Sequence, residues 1–184
     1  IPTGMEMERF AGGDGQRFRE QLGIAPGQPV LVHVGRIAHE KNIGFLFRMF
    51  ARVVRSKPGA VFIVAGEGPA LASCKAYVRS LGIAQHVRFV GYLSRERELL
   101  DCYRAGDLFV FSSRTETQGL VLLEAMALGV PVVSTAHMGT ADIMNPQRGA
   151  RVAPDDEGEF ANIGVQLLEE APRRAAMCAE ARAY

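Results

Sequence analysis

Four apolar runs, each followed by a stretch with apolar residues at helical spacing and then by a glycine, constrain this chain more than any other feature. The runs are Val30 to Val34, Ala60 to Ala65, Val87 to Val90 and Leu108 to Phe111. The stretches are Ile43 to Arg55, Ala70 to Leu81, Arg95 to Ala105 and Leu120 to Leu128. In the first stretch Phe45, Leu46, Met49, Phe50 and Val53 recur at the helical period. Asn42 stands before it as a good N-cap residue, and Pro58-Gly59 breaks it; Gly82, Gly106 and Gly129 stop the other three. Ahead of the first run, Asp14 to Leu22 reads as a short polar helix ending at Gly23. After the last, Val130 to Ser134 reads as a fifth strand, Ala150 to Ala153 as a sixth and Glu157 to Glu169 as a helix. Strands that are apolar throughout are buried on both faces, and strands alternating with helices read as βαβ units. The expected fold is therefore α/β, a Rossmann-like open parallel sheet flanked by helices. Five or six such units are too few for an eight-fold barrel. Open sheets of this kind bind ligands beyond the carboxyl ends of their strands.

Size and charge narrow the function. A chain of 184 residues is long enough for one domain. Twenty-one Lys and Arg against 20 Asp and Glu give a net charge of +1, which argues against non-specific coating of nucleic acid or of an anionic membrane and leaves room for local basic sites. No apolar run approaches the ~18 residues of a membrane-spanning helix. Cys74, Cys102 and Cys178 are odd in number and widely spaced, form no metal or redox pair, and fit a reduced, cytosolic setting. The chain opens on Ile1 and stops in AEARAY, inside a helical pattern, and is expected to be a piece of a longer protein.

Charge collects at the strand ends. After the first run, Gly35 lets a ligand approach the backbone, and Arg36 and Lys41 place two cations before a helix start, where free amides already favour an anion. On one loop these cations repel each other unless an anion lies between them, and a diphosphate is the natural candidate; the bland alternative is two solvated loop charges. Gly66-Glu67-Gly68-Pro69 follows the second run and lacks the third glycine of the dinucleotide fingerprint, Leu71 taking its place. It reads as a ligand approach or as a tight turn with Pro69 at the first helical position. After the third run, Tyr92 and Leu93 could wall a base, or Tyr92 could be ordinary half-buried packing.

The strongest signal follows the fourth run. The stretch LVLLEAMALG is apolar all round except for Glu124. A buried, unpaired carboxylate costs several kcal/mol, so Glu124 needs donors: a ligand's hydroxyls, or a cation such as Arg114. Glu116 lies eight positions earlier in the loop, and Gly119 opens the helix N-terminus to a close ligand. As paired carboxylates the two could instead be the acid and base of a glycoside hydrolase, but the cations at Arg36 and Lys41 and the open sheet argue against that. A receiver domain would need clustered aspartates where Gly35-Arg36 and Gly66-Glu67 stand.

Three motifs together carry a resemblance over about Ile1 to Leu168: Gly35-Arg36 followed by Lys41-Asn42, the Gly66-Glu67-Gly68-Pro69 turn, and Glu116 with Glu124 in ETQGLVLLEAMALGVPVV. The chain resembles the C-terminal domain of glycosyltransferase family 4, retaining enzymes built of two facing Rossmann-like domains, the GT-B fold. The resemblance implies that residues 1–14 are interdomain linker and 15–184 the nucleotide-sugar-binding domain, with an N-terminal acceptor domain absent. It implies a hexosyltransferase whose fragment is inactive alone. Arg36, Lys41 and Glu116 would be catalytic. The donor, a UDP- or GDP-linked sugar, would meet Gly35, Arg36, Lys41, Gly66, Tyr92, Leu93, Glu116, Gln118, Gly119, Leu120 and Glu124. In these roles Arg36 and Lys41 hold the diphosphate, Glu116 the sugar hydroxyls and Glu124 the ribose. The implied chemistry uses no metal and no cofactor, because cations and a helix dipole stabilise the departing diphosphate. The implied partners are the nucleotide sugar, the missing N-terminal domain and an acceptor glycan or lipid, with no nucleic acid. The implied location is the cytoplasm, with peripheral attachment to the inner face of the membrane. Gln118 departs from the phenylalanine common before the glycine. The ETQG form is similar to that of some lipid and lipopolysaccharide hexosyltransferases. The alternative from another class is a non-catalytic nucleotide-sugar-binding or protein-interaction module of the same fold.

Overall fold

The computed structural model describes residues 10, 12–116, 118–135, 137, 143–144 and 149–182. The apolar runs form strands β1 (Val30–Val34), β2 (Val61–Ala65), β3 (Val87–Gly91), β4 (Leu108–Phe111), β5 (Val132–Ser134) and β6 (Ala150–Val152). Helix α1 (Gly15–Gln21) precedes β1; α2 (Ile43–Ser56), α3 (Leu71–Ser80), α4 (Glu98–Ala105) and α5 (Leu120–Ala127) follow β1 to β4 in turn; α6 (Glu157–Glu169) and α7 (Ala171–Arg182) follow β6. The strands make one parallel sheet in the order β3-β2-β1-β4-β5-β6. This is the Rossmann-like α/β sheet that the alternation predicts, and the doubly wound strand order.

Side-chain alternation along β1 divides the core into two layers. Val30, Val32 and Val34 pack with Phe18 of α1, Leu100 and Tyr103 of α4 and Leu122 of α5. Leu31 packs on the other face with Leu46 and Phe50 of α2, Val78 of α3 and Phe160 of α6. The long α2 buries Phe45, Leu46, Phe47, Met49, Phe50 and Val53, and its Phe50 and Phe47 rings meet Phe62 of β2 at 5.2 and 6.0 Å. At one end of the molecule α1 is tied to α4. Asp101, 2% exposed, pairs with Arg17 and accepts from the Asp14 amide at 2.5 Å.

Several expectations are corrected. Burial on both faces holds for β1, β2, β4 and β5, whereas β3 and β6, at the two edges of the sheet, are only partly covered. The fifth strand starts at Val132, and the third stretch, Arg95 to Ala105, becomes helical only at Glu98. A separate α7 follows α6 without a glycine between them. Most of the expected linker, 1–9 and 11, lies outside the described residues. Among the described residues no helix is long and apolar enough to cross a membrane.

Candidate functional site

Strand order reverses at β1 and β4: their neighbours on either side wind outward in opposite directions. The crevice beyond their carboxyl ends is where an open sheet binds. The loops that open it are 35–42 after β1 and 112–119 after β4. The two loops are fastened to each other. The Asn42 side-chain amide donates to the Ser112 carbonyl at 3.3 Å, and the Ser112 hydroxyl donates to the Asn42 carbonyl at 3.0 Å. Asn42 is therefore not the side-chain cap its position predicts. Its backbone is left-handed, at φ 55°, and its amide makes no cap bond to α2. Asn suits both roles, because its short polar chain tolerates that conformation; the bond to the neighbouring loop decides between them.

The glycine turn after β2 braces the first loop from the other side. A Cβ on Gly66 would stand 1.9 Å from the Gly35 carbonyl oxygen, and one on Gly68 would stand 2.2 Å from that of Ile37. Gly35 and Ile37 donate to the carbonyls of Ala65 and Glu67 at 3.0 and 2.9 Å, and Ala70 donates to that of Ile37 at 3.0 Å. The turn is thus first a backbone clamp on the loop that carries Arg36 and Lys41, and only Gly66 of its two glycines lines the cleft.

The cleft has a volume of about 630 Å³. Eight of the residues read from sequence line it: Gly35, Arg36, Lys41, Gly66, Tyr92, Leu93, Glu116 and Glu124. Gln118, Gly119 and Leu120 do not; they form the start of α5, Gln118 exposed and Gly119 buried in a left-handed conformation at φ 59°. Tyr92 is 72% exposed at the rim, not half-buried packing. The cations do not face each other across an empty gap. Lys41 lies 3.2 Å from Glu116, and Arg36 lies 3.7 Å from Glu40. The Arg36 pair is largely solvated and weak, whereas Lys41 and Glu116 are each about four-fifths buried, at 21% and 22% exposed. Glu116 also accepts from the Gly119 amide at 3.3 Å, so it caps the start of α5 while it pairs. Burial pushes its carboxyl up. The hydrogen bond and charge of Lys41, with the Gly119 and Gln118 amides, outweigh burial and hold the group below the ordinary carboxylate value.

Glu124 is 7% exposed. Its partner is not a cation: Arg114 pairs with Asp155 at 2.6 Å instead. The donor is the hydroxyl of Tyr103 on α4, 2.7 Å from Glu124 Oε2. Sequence reasoning missed this residue, and it missed His33 and Arg95, which both line the cleft. His33 interrupts an otherwise apolar β1, and that was the available signal. It is 1% exposed, its ring stacks on Phe111 at 5.6 Å, and Nδ1 meets the Val110 carbonyl at 3.2 Å. Against a carbonyl Nδ1 must donate, which leaves Nε2 as the acceptor, and Nε2 has no hydrogen-bond partner among the described residues. Burial pushes the imidazole down to about 4, the Val110 bond opposing and the Lys41 charge assisting. Among the described residues no group of three or more His, Cys, Asp or Glu could hold a metal ion.

The family model described as Glycosyl transferases group 1 matches residues 14–184. D-inositol 3-phosphate glycosyltransferase 2 of Catenulispora acidiphila is 38% identical over 96% of this chain and 43% of its own length. Alpha-monoglucosyldiacylglycerol synthase of Streptococcus pneumoniae is 36% identical over 73% of this chain and 31% of its own. The chain thus spans less than half the length of either relative. Among solved structures, Anabaena HepE in complex with UDP-glucose superposes with a TM-score of 0.84 at 25% identity, covering 98% of this chain and 50% of that one.

Proposed function

Because this chain belongs to the group 1 glycosyl transferases, we propose that it is the donor-binding domain of a retaining enzyme that moves a hexose from a UDP- or GDP-linked sugar to an acceptor. One observation carries the reading. A single cleft at the strand-order reversal brings the cations Arg36 and Lys41 together with the glutamates Glu116 and Glu124. No catalytic dyad is built there, since Glu116 is paired to Lys41 and Glu124 to Tyr103.

In this reading the diphosphate takes Lys41 and Arg36 from their glutamates. Each cation exchanges one anion for another, and Glu116 is released toward hydroxyls of the sugar. Backbone amides of Gln118, Gly119 and Leu120, at the positive end of α5, add donors to sugar and phosphate oxygens. Glu124 accepts from the ribose hydroxyls, while Gly35 and Gly66 allow close approach and Tyr92 and Leu93 line the base. As the bond from sugar to diphosphate breaks, negative charge grows on the departing phosphate. Fixed cations and a helix N-terminus stabilise that charge without a metal. The acceptor site lies on an N-terminal domain to which residues 1–14 lead. Relatives named for inositol phosphate and diacylglycerol products favour a phosphorylated polyol or lipid acceptor, met at the cytoplasmic face of the membrane.

Thermal unfolding against UDP, GDP, ADP and their sugar conjugates, with and without EDTA, tests this. At 100 times its dissociation constant a ligand adds about 2.7 kcal/mol, roughly 5 to 10 °C for a chain of this size. The expected result is a shift with one nucleoside diphosphate, unmoved by EDTA and abolished in Glu124→Ala. No shift with any of them overturns the donor-site reading, and a shift that EDTA removes overturns its metal independence.

A further inference from the structure

Glu124 would have two tasks in the reading above: to find a hydrogen-bond partner in a buried place, and to offer an oxygen to the ribose. A glutamate has three rotatable bonds, and a carboxylate free to sweep the cleft would do the second poorly. In this structure it is not free. The Tyr103 hydroxyl donates to Oε2 at 2.7 Å. Tyr103 itself is 0% exposed and lines no part of the cleft. Its ring packs against Phe109 of β4 at 5.5 Å, tilted by 42°. The helix that carries it is fastened two residues earlier, where Asp101 pairs with Arg17 and accepts from the Asp14 amide. Nothing about Tyr103 calls for a hydroxyl except Glu124: a phenylalanine would fill the same space.

We propose that Tyr103 is a positioning residue, whose hydroxyl holds Oε2 of Glu124 and so presents Oε1 to the ribose of a bound nucleotide. The proposal rests on the donor-site reading, and specifically on Glu124 meeting the ribose. It goes beyond that reading in assigning selectivity for ribose hydroxyls to a side chain that never touches the ligand. Burial, together with the Glu124 charge, pushes the Tyr103 phenol well above its ordinary value, so it is a donor at neutral pH.

The test is titration calorimetry of the chain and its Tyr103→Phe variant with UDP and 2′,3′-dideoxy-UDP, and with the matching guanosine pair. The fold of the variant is checked by circular dichroism. Tyr103→Phe is expected to weaken binding of the ribose nucleotide on the order of tenfold, the worth of one hydrogen bond to a charged group. It is expected to leave the dideoxy nucleotide unchanged. A merely structural tyrosine would weaken both alike, and that result overturns the proposal. So does unchanged binding of the ribose nucleotide. In a Glu124→Ala background, Tyr103→Phe is expected to have no further effect on affinity; an additive loss there also refutes it. Glu124→Ala alone distinguishes the two layers. If it leaves ribose-nucleotide binding intact, or if the unaltered chain binds neither nucleotide, the ribose reading itself fails and the proposal with it. If Glu124→Ala loses affinity and Tyr103→Phe does not, only the positioning role fails.

Discussion

Replacing His33 with phenylalanine should make the fold less sensitive to acid. The reason is a proton that the unfolded chain accepts and the folded chain refuses. Unfolded, the imidazole has its ordinary value of 6.5; folded, burial against Phe111 and Phe109 lowers it to about 4. A depressed value means that the stabilising difference is fully present above 6.5 and drains away as pH falls toward 4. Integrated over that titration, the group removes about 2 kcal/mol of stability between about pH 7 and pH 5, and about 3 kcal/mol once the native form also takes up its proton. The phenylalanine variant keeps the stack but loses the bond to the Val110 carbonyl, so its stability at neutral pH shifts by an amount of its own. The slope with pH is therefore the readout. Urea unfolding of both chains at a series of pH values from 7 to 4.5 gives it directly. The unaltered chain should lose about 2 kcal/mol more than the variant between about pH 7 and pH 5. Stability curves that run parallel would refute the buried neutral imidazole. A steeper curve for the variant would mean that His33 is protonated in the folded protein.

Two further changes probe what holds the crevice together. Asp101→Ala removes the partner of Arg17 and the acceptor of the Asp14 amide. Because Arg17 is 35% exposed and can rehydrate, the loss should be about 2 kcal/mol, below the 3 to 5 typical of a fully buried pair; an unchanged denaturation midpoint would show that α1 is not anchored there. Gly68→Ala drives a Cβ into the Ile37 carbonyl at 2.2 Å. It should cost about 3 kcal/mol and weaken nucleotide binding by displacing the loop of Arg36 and Lys41. Gly164→Ala is the control, since beyond its own stretch of α6 no described residue lies within 4 Å of the new methyl group, and it should stabilise the chain by about 1 kcal/mol. Equal melting temperatures for the two alanine variants would refute the clamp.

The alternation of apolar runs with helical stretches made the layers legible, because fully apolar strands and amphipathic helices have few other ways to bury themselves. The chain direction also made the strand-end loops legible as the walls of the cleft. Strand order was not. Nothing local distinguishes an interior strand from an edge, so β3 was expected to be covered on both faces although it pairs only with β2. The partial exposure of β3 and β6 is the physical consequence of their place in the sheet, and only the long-range pairing fixes that place.

The cleft shows the same division at the scale of single side chains. An apolar helix with one carboxylate implied that Glu124 needed a donor, and the requirement was sound. Its identity was hidden, because Tyr103 sits 21 residues away on α4 and reads as ordinary core. Lys41 and Glu116, 75 residues apart, were likewise expected separately to meet parts of a ligand, and meet each other. A sequence registers the need of a buried or crowded charge, since that need is a property of the residue and its neighbours along the chain. Which group meets the need depends on a sheet register that brings β1 beside β4. That register places Lys41 against Glu116 before any anion arrives. In the proposed donor site, binding is then an exchange of partners, with each group held near its working position in the meantime.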